Sequence, residues 1–172
     1  HGDPAIILNA HAKPDYAIQD SLLNHNPLIV SVADAAVTIT AKIINIGKST
    51  LDSVGVLIQH NKPNSTVETI FNGKIKPIKF EDSISVELAI TPLEDKGENQ
   101  ITVTIDPENL VGELSEVNNT ATKSFTIIED EIRPVYPYNY AIVNNNNPVL
   151  YASTANPTAG VEEYVMEMDT TA

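Results

Sequence analysis

Apolar residues fall at every second position through most of the stretch from Leu28 to Ile128, the period of a strand that buries one face and wets the other. "AVTITAKIINIGK" places Val37, Ile39, Ala41 and Ile43 on one side, and "SVGVLIQH" does the same with Val54, Val56 and Ile58. "SISVELAI" contributes Ile84, Val86, Leu88 and Ile90, while "QITVTIDP" contributes Ile101, Val103 and Ile105. The pattern weakens in "TATKSFTII", where Phe125 and Ile127 are the expected inward residues. Turn-rich breaks separate these runs: "NIGKST", "NKPNS", "FNGK", "FEDS" and "PLEDKGEN".

Some six or seven short strands, rich in Val, Ile and Thr and without a helical period, predict an all-β chain folded as an immunoglobulin-like β-sandwich over residues 28–128. The aliphatic side of each strand supplies the two inner faces that a sandwich core needs. With no Trp and no Cys, the disulfide with its packed Trp that marks antibody domains is excluded. Residues 1–27 hold one short apolar run, Ala5 to Leu8, and then a polar, proline-punctuated segment; they are expected to be the tail of an upstream domain plus a linker. Residues 129–172 change character, with clustered Tyr and Pro and "NNNNP" between "YAIV" and "PVLYAST", followed by "EYVMEM". Three strands at most cannot close a sandwich, so this extension is expected to be the truncated opening of a following β-domain, and the chain a piece of a longer protein. Pieces of two or three strands are marginal in water.

The net charge of −13 repels phosphate backbones and anionic lipid, and the ten Lys and Arg form no basic stripe. Nucleic acid is therefore not an expected partner. No window approaches the roughly 18 apolar residues of a membrane-spanning helix, so membrane insertion is not expected either. The lack of Cys removes thiol nucleophiles and thiolate metal sites from this sequence.

The candidate chemistry concentrates in "DPENLVGELSEVNN", residues 106 to 119. An EF-hand counted from Asp106 would need an oxygen ligand at position 5, Gly at 6 and Glu at 12; those positions hold Leu110, Val111 and Val117. A calcium site of another kind, built from Asp106, Glu113 and Glu116, stays open beside a structural reading in which Asp-Pro starts a turn and Asn118 and Asn119 lead into the next strand. A carboxylate-pair glycosidase would need a sugar cleft, and five of the six Tyr lie beyond residue 135 with no Trp to floor one. His1, His11, His25 and His60 lack metal-binding spacing and are expected in turns or on the surface. "GKST" at 47–50 lacks the upstream Gly of a phosphate loop, position 42 being Lys42. G-x-S-x-G is absent, and the sequons at Asn64 and Asn118 are consistent with surface loops.

From about Val30 to Ile128, "IINIGKSTLDSVGVLI" followed by "GENQITVTIDPENLVGELSEVNNT" resembles the cell-adhesion-related domain found in bacteria. The matching features are Asn45-x-Gly47, a strand ending in Asp106, and the run Glu113, Glu116, Asn118, Asn119. The resemblance implies an immunoglobulin-like module of secreted and surface proteins. "HGDPAIIL" is similar to the closing segment of gingipain-type cysteine peptidase domains, and "RPVYPYNYAIVNNNNPVLYASTANP" through "YVMEMDTT" is similar to the segment that follows in large gingipain-type proteins of the type nine secretion system. Those peptidases use a Cys nucleophile with a His, so with no Cys here no catalytic residue carries over to any position.

Two functions follow as expectations. One is a non-catalytic spacer or interaction module of a secreted or surface gingipain-like peptidase in bacteria, with no cofactor and with adjacent domains of the same polypeptide or another protein as partners. The other is an adhesin-type domain that holds calcium or a glycan at the 106–119 loop; an independent hydrolase is a third and remoter alternative.

Overall fold

The computed structural model describes residues 11–138, 140–144, 147–154 and 163–165. Nearly all regular structure is strand: β1 (Tyr16–Ala17), β2 (Leu23–Asn26), β3 (Val30–Ser31), β4 (Ala36–Asn45), β5 (Val54–Asn61), β6 (Val67–Ile75) and β7 (Glu81–Ala89). A one-turn helix, α1 (Pro92–Asp95), precedes β8 (Gly97–Ile105) and β9 (Thr120–Ile128), and β10 (Ile132–Tyr136) and β11 (Tyr151–Thr154) complete the set.

Strands β1 to β9 form two facing sheets. In the first, β4 is central, with β7 antiparallel on one side and β1 and β2 end to end on the other. The second runs β3-β9-β8-β5-β6, antiparallel except for the short β3–β9 pair. The alternation seen in the sequence is what joins the sheets. Val37, Ile39, Ala41 and Ile43 of β4 are buried against Val54, Val56 and Ile58 of β5 and Ile101, Val103 and Ile105 of β8 in one core. Each buried Val or Ile side chain contributes about 1.5–3 kcal/mol by leaving water, and a one-residue slip would turn a whole row outward. The all-β sandwich is therefore observed, as is the inward placement of Phe125 and Ile127.

Several sequence expectations change; "FEDS", read as a break, supplies the first residues of β7. The sandwich does not wait for residue 28: Tyr16, Ile18 and Leu23 are core residues, and β1 and β2 pair with β4. A 3-10 turn at Asp20–Leu22 breaks this edge into two pieces, too short for alternation to be visible. "FNGK" is not a break but the middle of β6, where the Phe71 ring lies over Gly73; an edge strand that is largely exposed carries little hydrophobic alternation. In the extension, "IRPVY" pairs with "YAST", whereas described residues of "YAIV" are not in a strand. Of "EYVMEM", Glu163 to Val165 are not in a strand and the remainder lies outside the described residues.

Candidate functional site

The 106–119 loop leaves β8 at Asp106, whose φ of 46° is a left-handed conformation that Asp tolerates better than most residues. Its carboxylate turns back on the loop. One oxygen accepts from the Leu110 N–H at 3.1 Å and the other from Val111 N–H at 2.7 Å. This is the local capping that short acidic side chains provide at turns.

Glu113 is 5% exposed. Its Oε2 accepts from the backbone N–H of Tyr16 at 2.5 Å, and its Oε1 accepts from Asn119 Nδ2 at 2.8 Å. Glu116 accepts from the Glu113 N–H at 3.0 Å and shares the Asn119 amide at 3.4 Å. Burial pushes the Glu113 carboxyl above its ordinary range, and the charges of Glu116 and Asp106 push the same way; the Tyr16 N–H and Asn119 amide partly offset this.

The opposite wall of the clamp is Asn45, also buried. Its Oδ1 accepts from the N–H groups of Asp15 and Gly47 at 3.1 and 3.0 Å, and its Nδ2 donates to the carbonyls of Lys48 and Ile78 at 3.2 and 3.0 Å. Gly47 is required by proximity, since a Cβ there would stand 2.5 Å from the Lys13 carbonyl oxygen and 2.6 Å from Asp15 N. Asn118 completes the grip: its Nδ2 donates to Asp15 at 2.9 Å and its carbonyl accepts from Ile18 N–H at 3.0 Å. The residues behind the family resemblance are thus one device. Asn45, Gly47, Glu113 and Asn118 hold residues 13–18 against the end of the sandwich, while Asp106, Glu116 and Asn119 shape the loop that presents Glu113.

Asp106, Glu113 and Glu116 do come close in this loop, yet their oxygens already face backbone and amide donors of the protein. Among the described residues, no three His, Asp or Glu side chains form a group that could hold a metal ion.

A second buried polar cluster lies on β5 and β8, and the residue-type reading of the sequence missed it. His60, expected on the surface, is fully buried. It continues the inward row Val54, Val56, Ile58, just as Asn99 continues Ile101, Val103, Ile105, so the period itself pointed inward. His60 Nε2 donates to Asn99 Oδ1 at 2.8 Å, the role fixed by Asn99 Nδ2 donating to the carbonyls of Asp95 and Gly97. Buried Asp95 accepts from Thr91 N–H at 2.7 Å. Lys62 closes this end with Glu94 at 2.8 Å, Glu68 at 3.3 Å and Asp95 at 3.5 Å. The Glu94 hydrogen bond, above all, holds its ammonium well above the usual lysine range, against the opposing effect of burial.

His11 is exposed, and His25 Nδ1 donates to the Pro27 carbonyl at 2.9 Å with its ring against Phe125. His1 lies outside the described residues. Of the sequon residues, Asn64 caps its own turn through Thr66 N–H, while Asn118 belongs to the clamp. No described helix is long and apolar enough to cross a membrane.

A family model described as CARDB matches residues 13–123. The structure is similar to the CARDB domain of a Pyrococcus furiosus protein solved in complex with di-metal ions, with 25% sequence identity, a TM-score of 0.54, and coverage of 67% of this chain and 94% of that one. A solution structure of the same Pyrococcus domain matches with a TM-score of 0.51 at 25% identity, covering 67% of this chain and 95% of that one. A domain of a putative cell surface protein from Methanosarcina acetivorans matches at 25% identity with a TM-score of 0.48, covering 67% and 92% of the two chains. No curated protein matches the sequence.

Proposed function

The chain belongs to the CARDB family, and from that premise we propose that it is a non-catalytic accessory module that spaces or docks the catalytic domain of a secreted or surface gingipain-type cysteine peptidase. CARDB is a non-enzymatic, cell-adhesion-related domain family associated with the cell surface. The peptidase context is supported by the likeness of "HGDPAIIL" and of the segment after Ile128 to gingipain-type proteins. The observation that carries the spacer role is the clamp. Buried Glu113, Asn45 and the close approach at Gly47 fix residues 13–18 to the sandwich, so the chain enters the sandwich at a held position. A spacer transmits orientation only through such a joint.

The test expresses a gingipain-type catalytic domain with and without this chain fused behind it. The fusion is expected to raise the melting temperature or soluble recovery of the catalytic domain, and this chain alone is expected to hydrolyse no peptide substrate. Hydrolysis by the isolated chain, or a fusion indistinguishable from the bare catalytic domain, would overturn the reading.

A cation-binding role is the rival, favoured by the Pyrococcus domain solved with di-metal ions. The residues in place here do not fit it, because the acids of the 106–119 loop face their own backbone and amide partners. A ligand that binds only the folded form raises apparent stability by mass action. A melting temperature that rises at millimolar calcium would favour the rival; an unchanged one is expected.

A further inference from the structure

The outer face of the five-stranded sheet differs from the rest of this acidic protein. Across β9, β8, β5 and β6 the register aligns Thr120 with Thr104, then Thr122 with Thr102 and Gln59, then Ser124 with Gln100 and Asn61. Continued onto β6, these three rows end at Asn72, Thr69 and Val67. No position in them is charged, although the chain carries 33 charged residues (10 basic and 23 acidic). Charges return only at the margins, at Glu98 and Lys74.

The hydroxyls and amides on this face are held in place by each other. Asn61 Nδ2 donates to Thr102 Oγ1 at 3.0 Å, Thr120 Oγ1 to Thr104 Oγ1 at 3.3 Å, and Gln100 Nε2 to Ser124 Oγ at 3.4 Å. These contacts leave the amide oxygens of Asn61 and Gln100 and part of each hydroxyl's capacity for an outside partner. The third row is also the floor of an open concavity of about 480 Å³, whose rim is formed by Lys62, Pro63, Ser65 and Glu98. The Lys62 ammonium on the rim is neutralised by Glu94, Glu68 and Asp95.

We propose that this face binds a neutral polysaccharide, with Asn61, Gln100 and Ser124 as the central contacts. The match is chemical. A polyol presents groups that both donate and accept, spaced along a chain, and carries no charge that needs a counterion. The sheet answers with groups of the same two-way kind, about 4.8 Å apart across strands and about 6.8 Å along them. Anionic polymers find no available cation in the three rows. A second protein would expect an apolar or aromatic centre, which Leu57 and Val67 alone do not make. Without ring stacking the affinity per site is low, so repeated contact along a polymer supplies the retention.

Native affinity electrophoresis of the chain through gels cast with dextran, mannan or xylan tests this, with heparin as the anionic control. At least one neutral polymer is expected to retard the protein, and the Asn61→Ala/Gln100→Ala double variant is expected to lose about tenfold in apparent affinity. Gln100 is exposed, whereas Asn61 is half-buried with one hydrogen bond to Thr102, so the melting curve of the double variant is recorded beside its retardation; Thr122→Val, which leaves the amides intact, gives an intermediate loss if the double variant is unstable. Absence of retardation in all three neutral gels, retardation unchanged by both variants, or retardation by heparin alone would overturn the proposal. None of these outcomes bears on the spacer reading, which concerns the opposite end of the fold and a different assay.

Discussion

The sandwich holds its two flanking segments in opposite ways. The incoming segment, residues 13–18, is bound by buried groups: Asn45 and Glu113 take its N–H groups, and further backbone bonds run from Lys48, Ile46 and Leu114 to the carbonyls of Lys13, Asp15 and Pro14. The outgoing segment leaves β9 through surface ion pairs, Glu129 with Lys96 and Arg133, and Arg133 with Glu131. Beyond them every residue of β10 and β11 is exposed. Exposed ion pairs contribute about 0–1 kcal/mol each, whereas a buried donor left without its acceptor costs about 1–3 kcal/mol. Position is thus strongly specified in the incoming segment and weakly in the outgoing one.

The largest effect should come from the clamp. Asn45→Ala removes an acceptor for two N–H groups and a donor to two carbonyls at a buried site, and should destabilise the sandwich by about 3 kcal/mol. Urea unfolding followed by circular dichroism measures it. A loss under about 1 kcal/mol would mean that the incoming segment is no better held than the outgoing one.

A smaller and more diagnostic effect belongs to Glu113. Its folded-state carboxyl binds the proton more tightly than the ordinary value of 4.5. Between that value and the raised one the folded protein therefore carries more protons than the unfolded chain, and stability rises as pH falls. Below about 4.5 both states are protonated and the gain is complete. Glu113→Gln, which cannot titrate, should change stability at pH 7 by about 1 kcal/mol or less, helped by the Asn119 Oδ1, which is buried without a partner and can accept from the new amide if Asn119 turns over. Relative to this variant the parent should gain stability as pH is lowered from 7 towards 4.5. Equal urea midpoints for the pair at both pH values would show that Glu113 is not desolvated, and the clamp would lose its buried acid.

Much of the fold was legible because the sequence alternates where burial is one-sided. In β4, β5 and β8 the period alone selected the core. It also pointed inward at His60, which was set aside because of its residue type, and at Asn99, which was read as part of a turn-rich break; position in the row was the stronger signal. What stayed hidden was short or two-sidedly exposed. β1 and β2 are too brief to display a period, and β6 is an edge whose Gly73 looks like a turn until Phe71 is seen lying over it. The candidate loop was legible as chemistry but not as a role. Asp106, Glu113 and Glu116 resemble ligands until the N–H groups of residues 16, 110, 111 and 113 are found among their partners, and those partnerships reach as far as 97 positions along the chain.

The smallest effect is expected at the outgoing side, where its smallness is the point. Val135 on β10 is 56% exposed, and the Tyr136 and Tyr151 rings, with centroids 6.5 Å apart, are the aromatic pair across the two strands. Among the described residues this two-stranded sheet has no layer to bury against, and such a sheet is marginal by itself. Val135→Ser should therefore leave the global unfolding midpoint within about 0.5 kcal/mol of the parent. Amide exchange in β10 and β11 should be fast while that of Val56 and Val103 is slow, because exchange in an element with few buried contacts reports local opening rather than global unfolding. A loss above about 1 kcal/mol, or slow exchange in β10, would mean that the outgoing strands share the sandwich's cooperativity, and the contrast between a clamped and an adjustable junction would have to be abandoned.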